Sequence, residues 1–224
     1  MPRRNASHSR TGRPPVTSRA EILAATRRLI DRDGWEKLTI RRLAAELGIG
    51  ATTLYHHVRD REDLLILLIN DLAEQTPPPE LPDDPRERIV VAATAIHDRL
   101  ASWPWAAEVL TTDGFLTRLG TAPLTLVEAV VGAAVECGCT HEQAAGVFRA
   151  LWYYTVGEIL VRARSARRPA DFRLGSLAEA DASRLPHLTA IGDAWPALAA
   201  QDTFVDGLRA FVDGLLGQAT GRPA

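Results

Sequence analysis

The chain is poor in the residues that would tie it to a metal, a membrane or an oxidising compartment. It carries two cysteines, Cys137 and Cys139, one residue apart and without His or Cys partners at zinc spacing. Unpaired thiols fit a reducing cytoplasm, and no metal site or cofactor is expected. Long hydrophobic runs are missing too. The longest stretch free of Asp, Glu, Lys and Arg is Leu47–Val58, whereas a spanning helix needs ~20 apolar residues. No apolar segment follows the basic N-terminus, so no secretory signal is expected and the protein reads as cytoplasmic, without a membrane partner. Catalytic signatures are also lacking. There is no Gly-x-Ser-x-Gly, His-Glu-x-x-His or phosphate-loop motif, and Gly48-Ile49-Gly50 follows a helix and has no third glycine. Asp83-Asp84 and Asp171 read as solvated loop charges. An all-helical enzyme is the weakest of the functional readings.

What is present is a 224-residue chain, 46% apolar and 24% charged, enough for one or two domains with a sizeable core. The net charge of −2 conceals an asymmetry. Residues 1–63 hold 13 basic and 8 acidic side chains (+5), and residues 64–224 hold 13 and 20 (−7). A basic first quarter on an acidic remainder suggests a small domain facing a polyanion and a larger one that does not. Nearly all the cations are arginine, which suits bidentate contact with phosphate or guanine.

Residues 1–16, with Arg3, Arg4, Arg10 and Arg13, read as a disordered basic arm. Ser18-Arg19-Ala20-Glu21 has capping-box form, and the helix it opens ends at Gly34. Apolar periods of 3.6 then recur near residues 39–47, 51–57, 62–74, 86–102, 123–138, 141–166, 187–199 and 203–217, with no strand pattern of useful length. Thr76-Pro77-Pro78-Pro79 through Asp84-Pro85 makes a stiff joint, and Pro85 suits the first turn of the next helix. Arg167-Arg168-Pro169 is expected to close the long helix, with an irregular loop over residues 170–182. The fold class is all-α: a three-helix head over 17–76, a joint over 77–85, and a larger helical domain over 86–218.

The informative segment is Thr39–Val58. Thr39 can cap a short helix with Ile40, Leu43, Ala44 and Leu47 on its apolar face, and Gly48 can end it in the left-handed conformation. Ile49 is placed to plug the gap between two crossing helices, which Ala44 and Ala45 allow to approach. The following helix, about 51–57, is too short to stand alone and must be held through Leu54 and Val58. Thr52, Thr53, Tyr55, His56 and His57 remain: hydroxyls, a phenol and imidazoles, all able to hydrogen-bond and none acidic. That is the chemistry of a major-groove reader.

This segment, with the Ile22–Gly34 helix before it and Arg59-Asp60-Arg61-Glu62-Asp63-Leu64-Leu65 after it, resembles the helix-turn-helix domain of the TetR family of transcriptional regulators. Gly48-Ile49, Thr53-Leu54-Tyr55 and Val58…Arg61-Glu62-Asp63-Leu64 carry the likeness. The helix around Glu142–Arg164 and the final Phe204…Leu215 resemble the C-terminal domain of the tetracycline repressors. The resemblance implies a homodimeric regulator of a double-stranded DNA operator, a repressor released by a small-molecule effector; an activator or an effector-independent regulator is the alternative. It gives Arg41 a base contact, Thr52, Thr53, Tyr55 and His57 groove and phosphate contacts, and Arg61 a phosphate contact. Thr39, Arg42 and His56 complete the expected DNA-binding set. Gly50 and Ala51 stand where relatives often place larger polar residues.

In the larger domain, helix 141–166 is apolar around much of its girth, and the last helix carries a wide apolar stripe. The resemblance implies that the two form a dimer bundle, with Phe148, Val156, Phe204, Leu208, Phe211 and Leu215 as interface candidates. A ligand pocket is expected among Ile96, Leu100, Trp103, Trp105, Leu110, Phe115, Leu126, Trp152 and Tyr153, with Leu119 and His97 as further candidates. The polar anchors of the tetracycline repressors fall here on Pro77, Ala92, Ile96 and Leu110. None of these can hold a metal or a polar drug, so a larger apolar or aromatic effector is expected rather than magnesium–tetracycline.

Overall fold

The computed structural model describes residues 17–112, 114–166 and 177–221. The basic arm, Arg167-Arg168-Pro169, Asp171 and the first part of the expected 170–182 loop lie outside the described residues. The chain divides into two compact units, residues 1–68 and 69–224. Among the described residues every regular element is helical, and no helix is long and apolar enough to cross a membrane.

In the first unit, α1 (Arg19–Asp33) starts with a complete capping box. Glu21 N–H donates to Ser18 Oγ at 3.2 Å, and Ser18 N–H donates to Glu21 Oε2 at 2.8 Å. Two of the donors that every helix start leaves orphaned are thereby satisfied. Gly34 ends the helix at φ +86°. α2 (Ile40–Leu47) is capped by Thr39, whose Oγ1 accepts from Arg42 N–H at 3.2 Å, and stops at Gly48 with φ +66°. The left-handed glycine lets Ile49 N–H turn back to the Ala44 carbonyl at 3.0 Å, which closes the turn.

α3 (Ala51–Leu54) is shorter than the 51–57 expected; residues 55–57 continue as a turn. It is held through Leu54 and Val58, 0% and 4% exposed. Leu43 and Ile22, with Leu64 from α4 (Arg61–Gln75), are also fully buried in this unit. Ala44 is buried in the crossing but Ala45 is exposed, so only the first of the two alanines serves close approach. α4 contributes to both units, with Arg61–Leu68 in the first and the remainder in the second.

The second unit is a layered bundle. α5 (Pro85–Ser102) begins with Pro85 in its first turn and Asp84 capping, its Oδ1 accepting from Glu87 N–H at 2.9 Å. The helix packs against α7 (Thr121–Glu136) and α8 (His141–Ala166). Ala92 and Ala93 on α5, with Ala133 and Ala134 on α7, are all nearly fully buried, and such small side chains permit close helix approach. Between α5 and α7 lies α6 (Pro104–Val109), a six-residue helix too short to show a period in the sequence. The segment 187–199 is not one helix. α9 (Pro186–Ile191) and α10 (Trp195–Ala199) are separated by a 3-10 turn at Gly192–Ala194, where Gly192 has φ +51°. Last, α11 (Phe204–Thr220) packs on α8 and α5. At its first turn Tyr154 Oη donates to the Phe204 carbonyl at 3.2 Å, and a Cβ at Gly207 would overlap that hydroxyl. Cys137 and Cys139 are free thiols, and burial pushes both pKa values up.

Candidate nucleic-acid interface and ligand cavity

The head exposes a set of polar side chains. Arg41, Thr52, Thr53, Tyr55, His56 and His57 are all solvent-facing, Tyr55 at 57% exposure. Across residues 39–58 the one carboxylate is Glu46, and Arg32 Nη2 engages it at 3.2 Å. The face is therefore free of negative charge where a polyanion would approach. Arg41 makes no ion pair among the described residues, so its guanidinium fork is available.

Three members of the expected DNA-binding set do other work here. Arg42 Nη2 pairs with Asp33 at 2.6 Å, and Nη1 donates to the Lys37 carbonyl at 2.9 Å, which ties α2 to the end of α1. Arg61 is half-buried. Its Nε and Nη2 donate to the carbonyls of Leu38 (2.9 Å) and Trp35 (2.7 Å), and its guanidinium lies 4.8 Å from the Trp35 ring centroid. Two backbone carbonyls and an aromatic face give this arginine a structural job, pinning the start of α4 to the 35–38 turn. The sequence likeness could not reveal it, because the partners are main-chain atoms 23 and 26 residues away. Thr39 spends its hydroxyl as the cap already described.

The second unit holds a partly open cavity of about 70 Å³. Eight of the expected residues line it: Ile96, Leu100, Trp103, Leu110, Phe115, Leu119, Leu126 and Trp152. The Phe115 and Trp152 rings stack with centroids 4.8 Å apart. Three expected residues do not line it. Tyr153 points outward at 65% exposure. Trp105 is half-buried on α6 away from the cavity. His97 bonds Glu158 Oε2 at 2.8 Å through Nε2 and Asp98 at 2.9 Å through Nδ1, and stacks on Phe204 with centroids 3.8 Å apart. These three fall on the wrong side of their helices by one position, an error that residue type alone cannot prevent. The expectation missed Phe148, Val127, Pro123, Ala106, Ile69, Ala73 and Arg99, all of which line the cavity.

The interface expectations divide. Leu208 and Phe204 are 0% and 2% exposed, and Val156 and Phe148 are buried as well, all within a single chain. These four belong to the core of this unit, not to a surface a partner could touch. The reason is that α8 is covered on several sides by α5, α6, α7 and α11. Phe211 and Leu215 do reach the outer face of α11.

One clasp ties the cavity wall to α4. Asn70 Oδ1 accepts from Gly120 N–H at 2.8 Å, and its Nδ2 donates to the Arg118 carbonyl at 3.2 Å. Ile69 and Ala73, on either side of Asn70, form part of the cavity wall.

A helix-turn-helix whose one carboxylate is ion-paired, followed by a helical domain around an apolar cavity, defines a DNA-binding transcriptional regulator. Comparison with known proteins agrees. The family model for bacterial regulatory proteins of the tetR family matches residues 22–68, and the model for the tetracyclin repressor-like C-terminal domain matches residues 78–219. A transcriptional regulator of the helix-turn-helix type from Saccharopolyspora erythraea is 28% identical over 186 residues, 83% of this chain and 75% of that protein. The class A tetracycline repressor protein of transposon 1721 from Escherichia coli is 27% identical over 87% of this chain and 88% of its own. Among solved structures, the TetR family protein ActR of Streptomyces coelicolor, in complex with (S)-DNPA, superposes with a TM-score of 0.72 at 26% identity, covering 91% of this chain and 98% of that one. The chain belongs to the TetR family of bacterial transcriptional regulators.

Proposed function

We propose that the protein is a homodimeric repressor that leaves a near-palindromic operator when a small apolar or aromatic molecule enters its cavity. The observation that carries this reading is α4 itself. Its first turn is anchored to the head by Arg61, and its later turns wall the cavity and are clasped by Asn70. A ligand that displaces Phe115 or Leu119 moves the 118–120 backbone and with it the α4 turn held by Asn70. Coupling of ~1–3 kcal/mol is typical of such devices and changes operator affinity about 5–150-fold.

Pairing is supported by an apolar outer surface on adjoining helices. Tyr153 and Val161 of α8 and Val205 and Phe211 of α11 are exposed, and Leu215 is half-buried beside them. A Cβ at Gly157 or Gly214 would meet nothing within 4 Å, so the same two helices leave room for another backbone. Two recognition helices ~34–36 Å apart would then read successive major grooves. In this reading Arg41 contacts a base edge, and Thr52, Thr53, Tyr55, His56 and His57 contact the groove walls and phosphates.

The effector class follows from the walls. Ala92 is buried in the α5 core, Ile96 and Leu110 line the cavity, and Pro77 offers only its carbonyl, which supports an effector other than magnesium–tetracycline. Such a regulator would work in the cytoplasm, where its operator is.

Selection of bound duplexes from a randomised pool by the purified, ligand-free protein is the test. An enriched near-palindrome is the expected outcome. Salt-sensitive binding without any enriched sequence would defeat the operator-specific reading.

A further inference from the structure

We propose that the cavity takes an organic anion, a carboxylate or phenolate carried on an apolar ring body, and that Arg99 is the group that reads its charge. The inference rests on the reading that this cavity is the effector site. Fourteen of the fifteen lining residues are apolar; the other is Arg99. None of the fourteen side chains offers a carboxylate, hydroxyl or amide acceptor to a guanidinium. The one bond Arg99 makes among the described residues runs from Nη2 to the Pro77 carbonyl at 2.8 Å. That leaves four of its five N–H donors for something else.

The contrast with its neighbours on α5 sharpens the point. Arg86 pairs with Asp213 at 2.7 Å and Arg88 with Glu136 at 2.6 Å. The carboxylate next to Arg99 in sequence, Asp98, is turned to His97. Among the described residues Arg99 is thus the α5 arginine without an acid, and it is the one at the cavity. Burial pulls its pKa down from the ordinary guanidinium value, with no carboxylate offsetting that effect. An arginine stays charged under such conditions; its stem lines the apolar wall and its guanidinium sits at the exposed edge of the cavity, with no carboxylate partner among the described residues. A cation at the mouth of an apolar cavity is placed to meet an anionic group carried on an apolar body, and a carboxylate suits the guanidinium fork in bidentate geometry.

The tether adds a consequence. Pro77 stands in the Thr76–Pro79 run directly after α4, which ends at Gln75. An anion that draws the guanidinium from the Pro77 carbonyl loosens the joint at the end of α4. A neutral analogue with the same rings fills the cavity without doing so.

The experiment uses matched pairs of probes of rising size: 1-naphthoic, 9-anthracenecarboxylic and 1-pyrenecarboxylic acids, each with its primary amide. Dissociation constants are measured calorimetrically at pH 7.5 on the full chain and on Arg99→Met and Arg99→Lys. At least one acid is expected to bind the unmodified protein ten-fold or more tighter than its amide. Arg99→Met should erase that preference while leaving the amide within two-fold, and Arg99→Lys should keep part of it. Equal binding of acid and amide by the unmodified protein would overturn the charge-reading role and leave the cavity as a ligand site. A preference that survives in Arg99→Met would overturn the assignment to Arg99. No binding of either member of any pair would overturn the effector-site reading, and the inference with it. The acid–amide comparison in the unmodified protein needs no variant to fold.

Discussion

Asn70 holds Gly120 by a 2.8 Å hydrogen bond from the backbone N–H of the glycine to its side-chain oxygen, and with its amide nitrogen it reaches the carbonyl of Arg118. One side chain on α4 therefore satisfies a donor and an acceptor on either side of Leu119, which lines the cavity. Asn70→Ala should lower unfolding free energy by ~1–3 kcal/mol, because it strands partly buried backbone groups. Urea denaturation reads this directly, and an unchanged midpoint would mean that the clasp carries no load.

Two arginines of the head should respond oppositely to alanine. Arg41→Ala should lower specific affinity by about 1–3 kcal/mol and relax a single operator position, leaving the fold unchanged. Arg61→Ala should instead destabilise the head, because its bonds go to the Trp35 and Leu38 carbonyls. Weaker binding of all duplexes with an unchanged salt slope is the expected signature. A slope shallower by about one unit would show that Arg61 contacts phosphate after all.

The two faces of α11 are separable by charge. Phe211→Arg places a cation on the outer face and should yield a folded monomer by sedimentation velocity. Leu208→Arg, at a fully buried position, should fail to fold at all. A Phe211→Arg protein that still sediments as a dimer would place the contact on another face.

The capping box gives a pH dependence of known sign. The Ser18 backbone N–H, and then its hydroxyl, hold the Glu21 carboxyl below its ordinary value. A depressed folded pKa means stability that is present above the unfolded value of ~4.3 and lost as pH falls through the folded one. Glu21→Gln cannot titrate, so its melting temperature should fall less than that of the unmodified protein on acidification below about pH 4. Parallel curves for the two proteins would remove the capping carboxylate from the acid response.

What the sequence disclosed about this fold was local. Ser18, Gly34, Thr39, Gly48 and the Asp84-Pro85 pair announce helix ends because each cap depends on residues within about four positions. Leu54 and Val58 were legible as the props of α3, since nothing else in that segment is apolar enough to serve. The exposed hydroxyls and imidazoles after Gly48 could be read for the same reason. Side-chain direction on helices apolar all round was not legible. Phe204 and Phe211 are one heptad apart on the same helix, yet Phe204 is buried between His97 and Tyr154 while Phe211 reaches the surface. What distinguishes them is an imidazole on α5, more than 100 residues away in the chain. The same holds for Arg42 and Arg61, which are exposed-looking cations by sequence and are occupied by groups on another element.

The size of the cavity has a bearing on dose. At about 70 Å³ it has room for a few water molecules, whereas small-molecule sites usually offer ~300–1,000 Å³. On the proposed function, a ring-bearing ligand would select a rarer, swollen form of the protein, and its apparent affinity would be divided by how seldom that form occurs. If the open form makes up ~1% of molecules, the threshold concentration is about a hundred times what the contacts alone would set. Trimming Phe115 or Trp103, both of which line the cavity, would then sensitise the proposed regulator without adding a single contact to a ligand. On the proposed function, responsiveness would be set as much by the stiffness of the empty state as by the chemistry of what fills it.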